Sequence, residues 1–285
     1  MSCDVALETT VIAHGLPHPL NLRTAMQMED EIRAEGAVPK TIGIVDGKVI
    51  VGLNKDQIEM FATLSGIIKA ASSEIPIACA LGKTAATTVS GTIRLASLSG
   101  IRVMATGGIG GVHRDIDWDV SQDIIELSRT PILVVSSGAK SILDIGRTLE
   151  FLETFGITVL GYRTEFFPAF HSRKSPFKVS FSVNTAQEAA EVLIEKIKNK
   201  IPGAVLLVNP VPDEEEIPFS EVDRYVGIAS REAMKRGISG KALTPYLLKR
   251  LGELSDGRTL KANISLLKNN AKLAAKVAKV MTDDR

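Results

Sequence analysis

Residues 101–141 read IRVMATGGIGGVHRDIDWDVSQDIIELSRTPILVVSSGAKS, and this stretch decides the fold. An apolar strand over residues 101–105 runs into a loop carrying Gly107, Gly108, Gly110 and Gly111. An acidic segment and a short helix follow, then a second strand over residues 132–135 and the tight turn Gly138-Ala139-Lys140-Ser141. In a parallel α/β layer, consecutive strand ends that carry glycines and polar side chains fall on one edge of the sheet, where such folds bind ligands. The loop offers unblocked backbone N–H groups, the segment from Asp115 to Asp123 offers hard oxygen ligands, and Lys140 stands where a strand feeds a helix. An anion cradle, a cation site and a nucleophile are predicted together.

Upstream, Val5-Ala6-Leu7-Glu8-Thr9-Thr10-Val11-Ile12 is an apolar strand interrupted by a carboxylate. A buried glutamate costs several kcal/mol unless it is paired or protonated, so Glu8 is a functional candidate; the alternative is an edge strand with Glu8 in water. Pro17 and Pro19 exclude a helix that would put His14 and His18 on one face, and both are read as loop residues. A helix over residues 20–35 ends at Gly36, and residues 41–51 with Asp46-Gly47 at the centre predict a type I′ hairpin. Asn54 caps a helix over residues 55–64. Lys69 then sits in an apolar setting, followed by a strand over residues 75–81 with a buried Cys79 and a helix over residues 87–99.

Downstream, a helix over residues 141–155 with Ser141 as N-cap would set Lys140 at a positive helix end, which together with burial favours the neutral amine. The alternative is a surface lysine beside a cap. A strand over residues 158–161, a loop over 163–177 whose lone His171 is read as structural or exposed and not catalytic, a helix over 186–198 and a strand over 205–209 continue the pattern. The rest is helical, over residues 221–236, 245–255 and 260–281, with Lys268, Lys272, Lys276 and Lys279 forming a solvated stripe on the last. The fold class is a single α/β domain over residues 1–285. Its mainly parallel central sheet is flanked by helices (α/β/α), with a β-hairpin near the N-terminus and a helical C-terminal region.

With 34 basic and 33 acidic residues in 285, the chain has no electrostatic case for nucleic acid or a membrane surface. Two cysteines cannot build a disulfide framework, no apolar run reaches 18 residues, and Met1-Ser2-Cys3-Asp4 lacks a signal-peptide start, so a cytoplasmic protein is expected. Known loop motifs fail in detail. Ile77 stands where a P-loop before Gly82-Lys83-Thr84 needs glycine, Lys235 and Ala242 break the same pattern round Gly240-Lys241, and His113 breaks a dinucleotide fingerprint from Gly108. Asp115, Asp117, Asp119 and Glu126 match EF-hand positions, but Val120 occupies the glycine position. What survives is a hard-cation site on one or more of these carboxylates, set against a plain solvated acidic loop.

Several runs, spread over essentially the whole chain, carry a family resemblance. They are Ala6-Leu7-Glu8-Thr9-Thr10, Gly15 with its prolines, Ala85-Ala86-Thr87-Thr88-Val89, residues 105–114, Gly138-Ala139-Lys140-Ser141-Ile142-Leu143-Asp144 and Asn209-Pro210. With them the chain resembles the pseudouridine-5′-phosphate glycosidases, described together with the indigoidine synthase A-like proteins. The resemblance implies a manganese-dependent homotrimeric enzyme that splits pseudouridine 5′-phosphate into uracil and ribose 5-phosphate. By position it implies Glu8 as proton donor, Lys140 as covalent nucleophile and Asp119 as the Mn²⁺ ligand. Lys69, Val89 and Ser121-Gln122-Asp123 would bind substrate, the triplet departing from the commoner Ser-Ala-Asp, and Thr88, His113 and Asn263 join them as substrate-binding candidates.

The residue types suit that chemistry. A C–C glycosidic bond offers no leaving-group heteroatom to protonate, so paired carboxylates alone do not suffice and an electron sink is needed, which a lysine imine provides. Two other classes share parts of the set. A Schiff-base aldolase for another sugar phosphate would need Lys140 and a phosphate site but not Asp119. A non-catalytic sugar-phosphate or nucleotide-binding protein would tolerate Lys140→Met.

Overall fold

The computed structural model describes residues 3–114 and 118–283. The chain runs β1 (Asp4–Glu8), α1 (Leu20–Ala34), β2 (Val38–Val45), β3 (Lys48–Val51), α2 (Lys55–Thr63), β4 (Ile68–Ala70), α3 (Ile75–Ala80), β5 (Ala85–Thr87) and α4 (Val89–Leu98). It continues through β6 (Val103–Ala105), β7 (Val112–His113), α5 (Gln122–Arg129), β8 (Leu133–Ser136), β9 (Leu143–Asp144), α6 (Ile145–Thr154), β10 (Thr158–Tyr162), β11 (Phe181–Val183), α7 (Ala186–Lys198) and β12 (Val205–Val208). Three helices close it: α8 (Phe219–Lys235), α9 (Leu243–Leu254) and α10 (Arg258–Asp283).

A ten-stranded sheet has the order β11-β10-β12-β8-β6-β1-β2-β5-β4, with β3 paired to β2. Its pairings are parallel except those of β2 with β3 and with β5. The central strands explain this arrangement. Val103–Ala105, Leu133–Ser136 and Val205–Val208 are buried at every position, as parallel strands covered by helices on both faces require, and each large apolar side chain contributes about 1.5–3 kcal/mol of burial. One large apolar cluster runs along these strands and under α10, and two smaller ones lie beneath the β2–β3 side. The mainly parallel sheet, its flanking helices, the hairpin and the helical C-terminal region agree with the reading of the sequence. In the hairpin, Asp46 and Gly47 have φ of 47° and 76°, as a type I′ turn demands.

Four local expectations are corrected. Residues 75–81 form α3, not a strand: Pro76 has no N–H to give a ladder but fits a first helical turn, and Ile77 and Leu81 face outward. The strands are β4 and β5 on either side, and Cys79 is only partly buried. The helix expected from Ser141 starts at Ile145 and is capped by Asp144, whose side chain accepts from the Arg147 N–H at 2.9 Å. The Ser141 hydroxyl is instead engaged with His171 Nδ1 at 3.1 Å. The lysine stripe on α10 is exposed but not idle, because α10 packs along α1 and brings Lys268, Lys272 and Lys276 within 3.7–3.9 Å of Glu31 and Glu35. The loop after β10 also contains β11, whose outward Phe181 hid its pattern.

Helix α10 positions the site. It crosses the ends of β1, β6 and β8, and its fully buried Asn270 donates to the Thr106 carbonyl at 2.8 Å and to the Ser137 hydroxyl at 3.1 Å. The Asn270 side-chain oxygen accepts from Asn209 at 3.0 Å. One amide therefore ties together the segments that follow β6, β8 and β12.

Candidate active site

The strand ends β1, β4, β5, β6 and β8 open into one cavity of about 330 Å³, the size of a small-molecule site. Glu8 closes β1 and is buried to 8% exposure. Its carboxyl group is held by the hydroxyls of Thr10 and, at 2.5 Å, Thr106. Each oxygen of this buried carboxyl group therefore has a hydroxyl partner, which removes most of the cost of placing it there. Beyond it the chain makes a single wide turn, Val11–Gly15, that brings His14 to the cavity wall. The two prolines exclude an ordinary helix, as expected, but not this turn.

Lys140 borders the same cavity, partly buried, in the turn after β8. Its backbone N–H donates to the Ile109 carbonyl at 3.1 Å, locking the lysine turn onto the glycine loop. Gly138 makes that turn possible: its φ is +80°, and a Cβ there would lie 2.1 Å from the Pro168 carbonyl oxygen. Lys140 lies four residues before the α6 cap, not at the helix end, so the expected helix-end effect has no geometric basis.

Asp123 is the clasp of the glycine loop. Buried to 5%, it accepts from the Ser90 N–H at 2.9 Å and the Gly110 N–H at 2.8 Å, joining the loop to the start of α4. The approach is close enough that a Cβ on Gly110 would lie 2.3 Å from the Ser121 hydroxyl oxygen. Ser121 caps α5, and Gln122 accepts from the Ser73 N–H at 3.3 Å. Thr88 caps α4 and Val89 is its first residue. Lys69 on β4, His113 on β7, Asp119 and Asn263 on α10 complete the set, so all eleven candidate residues border the same cavity.

Charge at the cavity is mixed. Burial, and the nearby Lys140 and Lys69, push His113 below its ordinary pKa, while Asp119 works in the other direction. His14 is lowered by burial and by Lys69, against a hydrogen bond to Ile67 that raises it. Both shifts favour the neutral imidazole. Among the described residues, the buried Nε2 of His14 has no hydrogen-bond partner. Of the structural and exposed readings of His171, the exposed one fails: the ring is buried and its pKa is pushed down to about 3 by burial, against a hydrogen bond to Thr259.

Sequence reasoning missed Thr10, Thr106, His14 and Glu74, and also Thr244, Pro245 and Leu248 in the first half of α9, all of which line the cavity. Thr106 precedes the glycines and could have been found there. The α9 residues carry no local signal, because only the chain path brings them across. Among the described residues no group of three or more His, Cys, Asp or Glu side chains could share a metal ion, and Asp115 and Asp117 lie outside the described residues.

The sequence family described as indigoidine synthase A like protein matches residues 3–280. The chain belongs to this family. Within the indigoidine synthase A-like family, it is 53% identical over 274 residues to a pseudouridine-5′-phosphate glycosidase from Kosmotoga olearia, covering 96% of this chain and 95% of that one. It is 54% identical over 274 residues to the enzyme of the same name from Thermosipho africanus, covering 96% and 92%. Among solved structures, an indigoidine synthase A-like protein from Thermotoga maritima superposes with a TM-score of 0.91 at 41% identity, covering 96% of this chain and 91% of that one. The prealnumycin C-glycosynthase AlnA, solved with ribulose 5-phosphate, gives 0.90 at 39% identity, covering 98% and 91%.

Proposed function

We propose that the protein cleaves the C–C glycosidic bond of pseudouridine 5′-phosphate, giving uracil and ribose 5-phosphate. The observation that carries the reading is the shared cavity of a buried, hydroxyl-bonded Glu8 and the amine of Lys140, in a family whose members at 53% identity bear that activity in their name. That a C-glycosynthase with a bound pentulose phosphate has the same fold supports a sugar-phosphate site.

The residues divide the chemistry. Glu8 gives its proton to the ribose ring oxygen as the C1′–O4′ bond breaks, and the Lys140 nitrogen adds at C1′. The ammonium formed by that addition gives up one proton, which is delivered to uracil C5, and the freed nitrogen lone pair then expels uracil, forming a lysine iminium that water hydrolyses to ribose 5-phosphate and free amine, with the last proton returned to Glu8. General acid help of this kind contributes about 10² to 10⁴ in rate, roughly 3–5 kcal/mol. Lys69 suits the phosphate as a point charge, aided by backbone N–H groups of the glycine loop. Neutral His113 and the side chains of Thr88, Ser121 and Asn263 offer hydrogen bonds to ribose and base.

A hard divalent cation such as Mn²⁺ fits Asp119, a partly exposed carboxylate on the cavity wall. With a single such ligand most coordination sites remain for water and substrate, and the ion would supply charge that polarises or positions the substrate. The proposed assembly is a homotrimer in the cytoplasm; outward Ile77 and Leu81 provide apolar surface for such an interface, and no helix among the described residues is long and apolar enough to cross a membrane.

Two measurements test the reading. Purified protein with Mn²⁺ and pseudouridine 5′-phosphate should release free uracil. Borohydride added during turnover should fix a ribose phosphate adduct on Lys140, and trapping on another residue, or none while uracil is released, refutes the lysine imine.

A further inference from the structure

Thr10 presents one hydroxyl to two oxygens. It lies in hydrogen-bond contact with a Glu8 carboxyl oxygen, and its Oγ is 2.6 Å from the Thr87 carbonyl oxygen. A backbone carbonyl only accepts, and a hydroxyl carries one proton. If Glu8 were a bare carboxylate, both neighbours would compete for that proton, and the loser would be a buried acceptor facing lone pairs. The other Glu8 oxygen does not share the difficulty, since it accepts from the Thr106 hydroxyl at 2.5 Å.

We infer that Glu8 rests as the neutral acid, with its proton aimed at Thr10 Oγ, and that Thr10 is the positioning residue that holds it so. In this arrangement every partner is satisfied. Glu8 donates to Thr10, Thr10 donates to the Thr87 carbonyl, and the carbonyl oxygen of the Glu8 carboxyl accepts from Thr106. The Thr87 carbonyl cannot turn away. Its N–H donates to Thr9 Oγ at 2.8 Å and its own hydroxyl donates to the Ile42 carbonyl at 2.7 Å, so the residue is fixed on both sides.

The proton balance follows when the proposed function is granted. Glu8 loses its proton to substrate and becomes a carboxylate, and the Thr10 hydroxyl swings its single proton from the Thr87 carbonyl to the new anion. Thr10 neither gains nor loses a proton, and the conjugate base acquires a second hydroxyl donor at the moment it forms. The titratable side chains that border the cavity round Glu8 are His14, Lys69, Glu74, His113, Asp119, Asp123 and Lys140. The assignment stands on the hydroxyl arrangement.

The test is an infrared difference spectrum of wild type minus Glu8→Gln at pH 7. A carbonyl stretch of a neutral carboxyl group in the wild type, absent from E8Q, is expected; its absence from the wild type overturns the proposal. This spectrum requires neither substrate nor a Thr10 variant, so it is read independently of whether pseudouridine 5′-phosphate is cleaved. In turnover, Thr10→Val should lower kcat about ten- to a hundredfold, with KM changed by less than about threefold. Thr10→Ser, which keeps the hydroxyl, should restore kcat. Wild-type kcat in T10V, or equal losses in T10V and T10S, refutes the positioning role.

Discussion

Replacing Asp123 by alanine should cost the protein about 3–6 kcal/mol of stability. The figure comes from two bonds. The buried carboxylate accepts from the backbone N–H groups of Ser90 and Gly110 at 2.9 and 2.8 Å, and hydrogen bonds to charged acceptors contribute about 1.5–3 kcal/mol each. Alanine leaves both donors without an acceptor. Ser90 is fully buried and cannot turn to water for a substitute. Asparagine keeps one accepting oxygen but places an NH₂ against the other donor, so Asp123→Asn should lose at least half as much. The assay is urea unfolding of wild type, D123A and D123N, compared at the midpoint, with amide hydrogen exchange followed at Ser90 and Gly110. Both amides should lose protection in D123A before the rest of the sheet does. A loss below about 1 kcal/mol, or protection retained at Gly110, would show that the loop is held by its flanking strands and not by this clasp.

The other predictions are shorter. Lys69→Ala should raise KM for pseudouridine 5′-phosphate about tenfold or more, with a smaller change in kcat, because the lysine is assigned to the phosphate; steady-state kinetics decides. His171 has a folded pKa of about 3 against an ordinary value near 6.5, so the unfolded chain binds the extra proton first. Its contribution is intact above about pH 6.5 and is lost as the pH falls towards 3, amounting to about 2 kcal/mol by pH 5. Stability measured from pH 7 to pH 5 should therefore fall less steeply in His171→Asn than in wild type, though the variant starts lower. Removing divalent metal with a chelator should abolish turnover while leaving the melting temperature nearly unchanged, since Asp119 is a single ligand on a finished scaffold; calorimetry with and without Mn²⁺ checks this.

The sheet was legible because its central strands are uninterrupted apolar runs between glycine turns, a pattern that a buried parallel strand must show. Glu8 was legible for the opposite reason, as the one charge in such a run. Segment 75–81 misled because an apolar run of seven has no period long enough to separate strand from helix, and Pro76 was the discriminating residue. The helix after Lys140 was misplaced by four residues because Ser141 and Asp144 are both competent caps, and only the tertiary bond from Ser141 to His171 removes one. Residues from Thr244 to Leu248 and the buried Asn270 could not be read at all. Asn270 meets Thr106, Ser137 and Asn209 across 61 to 164 residues of chain, and nothing local in the sequence records contacts of that span.

The order in which the walls are made has a consequence for synthesis. Most of the cavity, from Glu8 to Lys140, lies in the first half of the chain, yet Asn263, Leu267 and the Asn270 tie all come from α10. A chain emerging from the ribosome completes every strand before it has a roof for the pocket, so the reactive amine is made long before it has anything to react with. A chain ending before α10 would lack Asn263, Leu267 and the Asn270 tie, and with them part of the pocket lining and of the core beneath it.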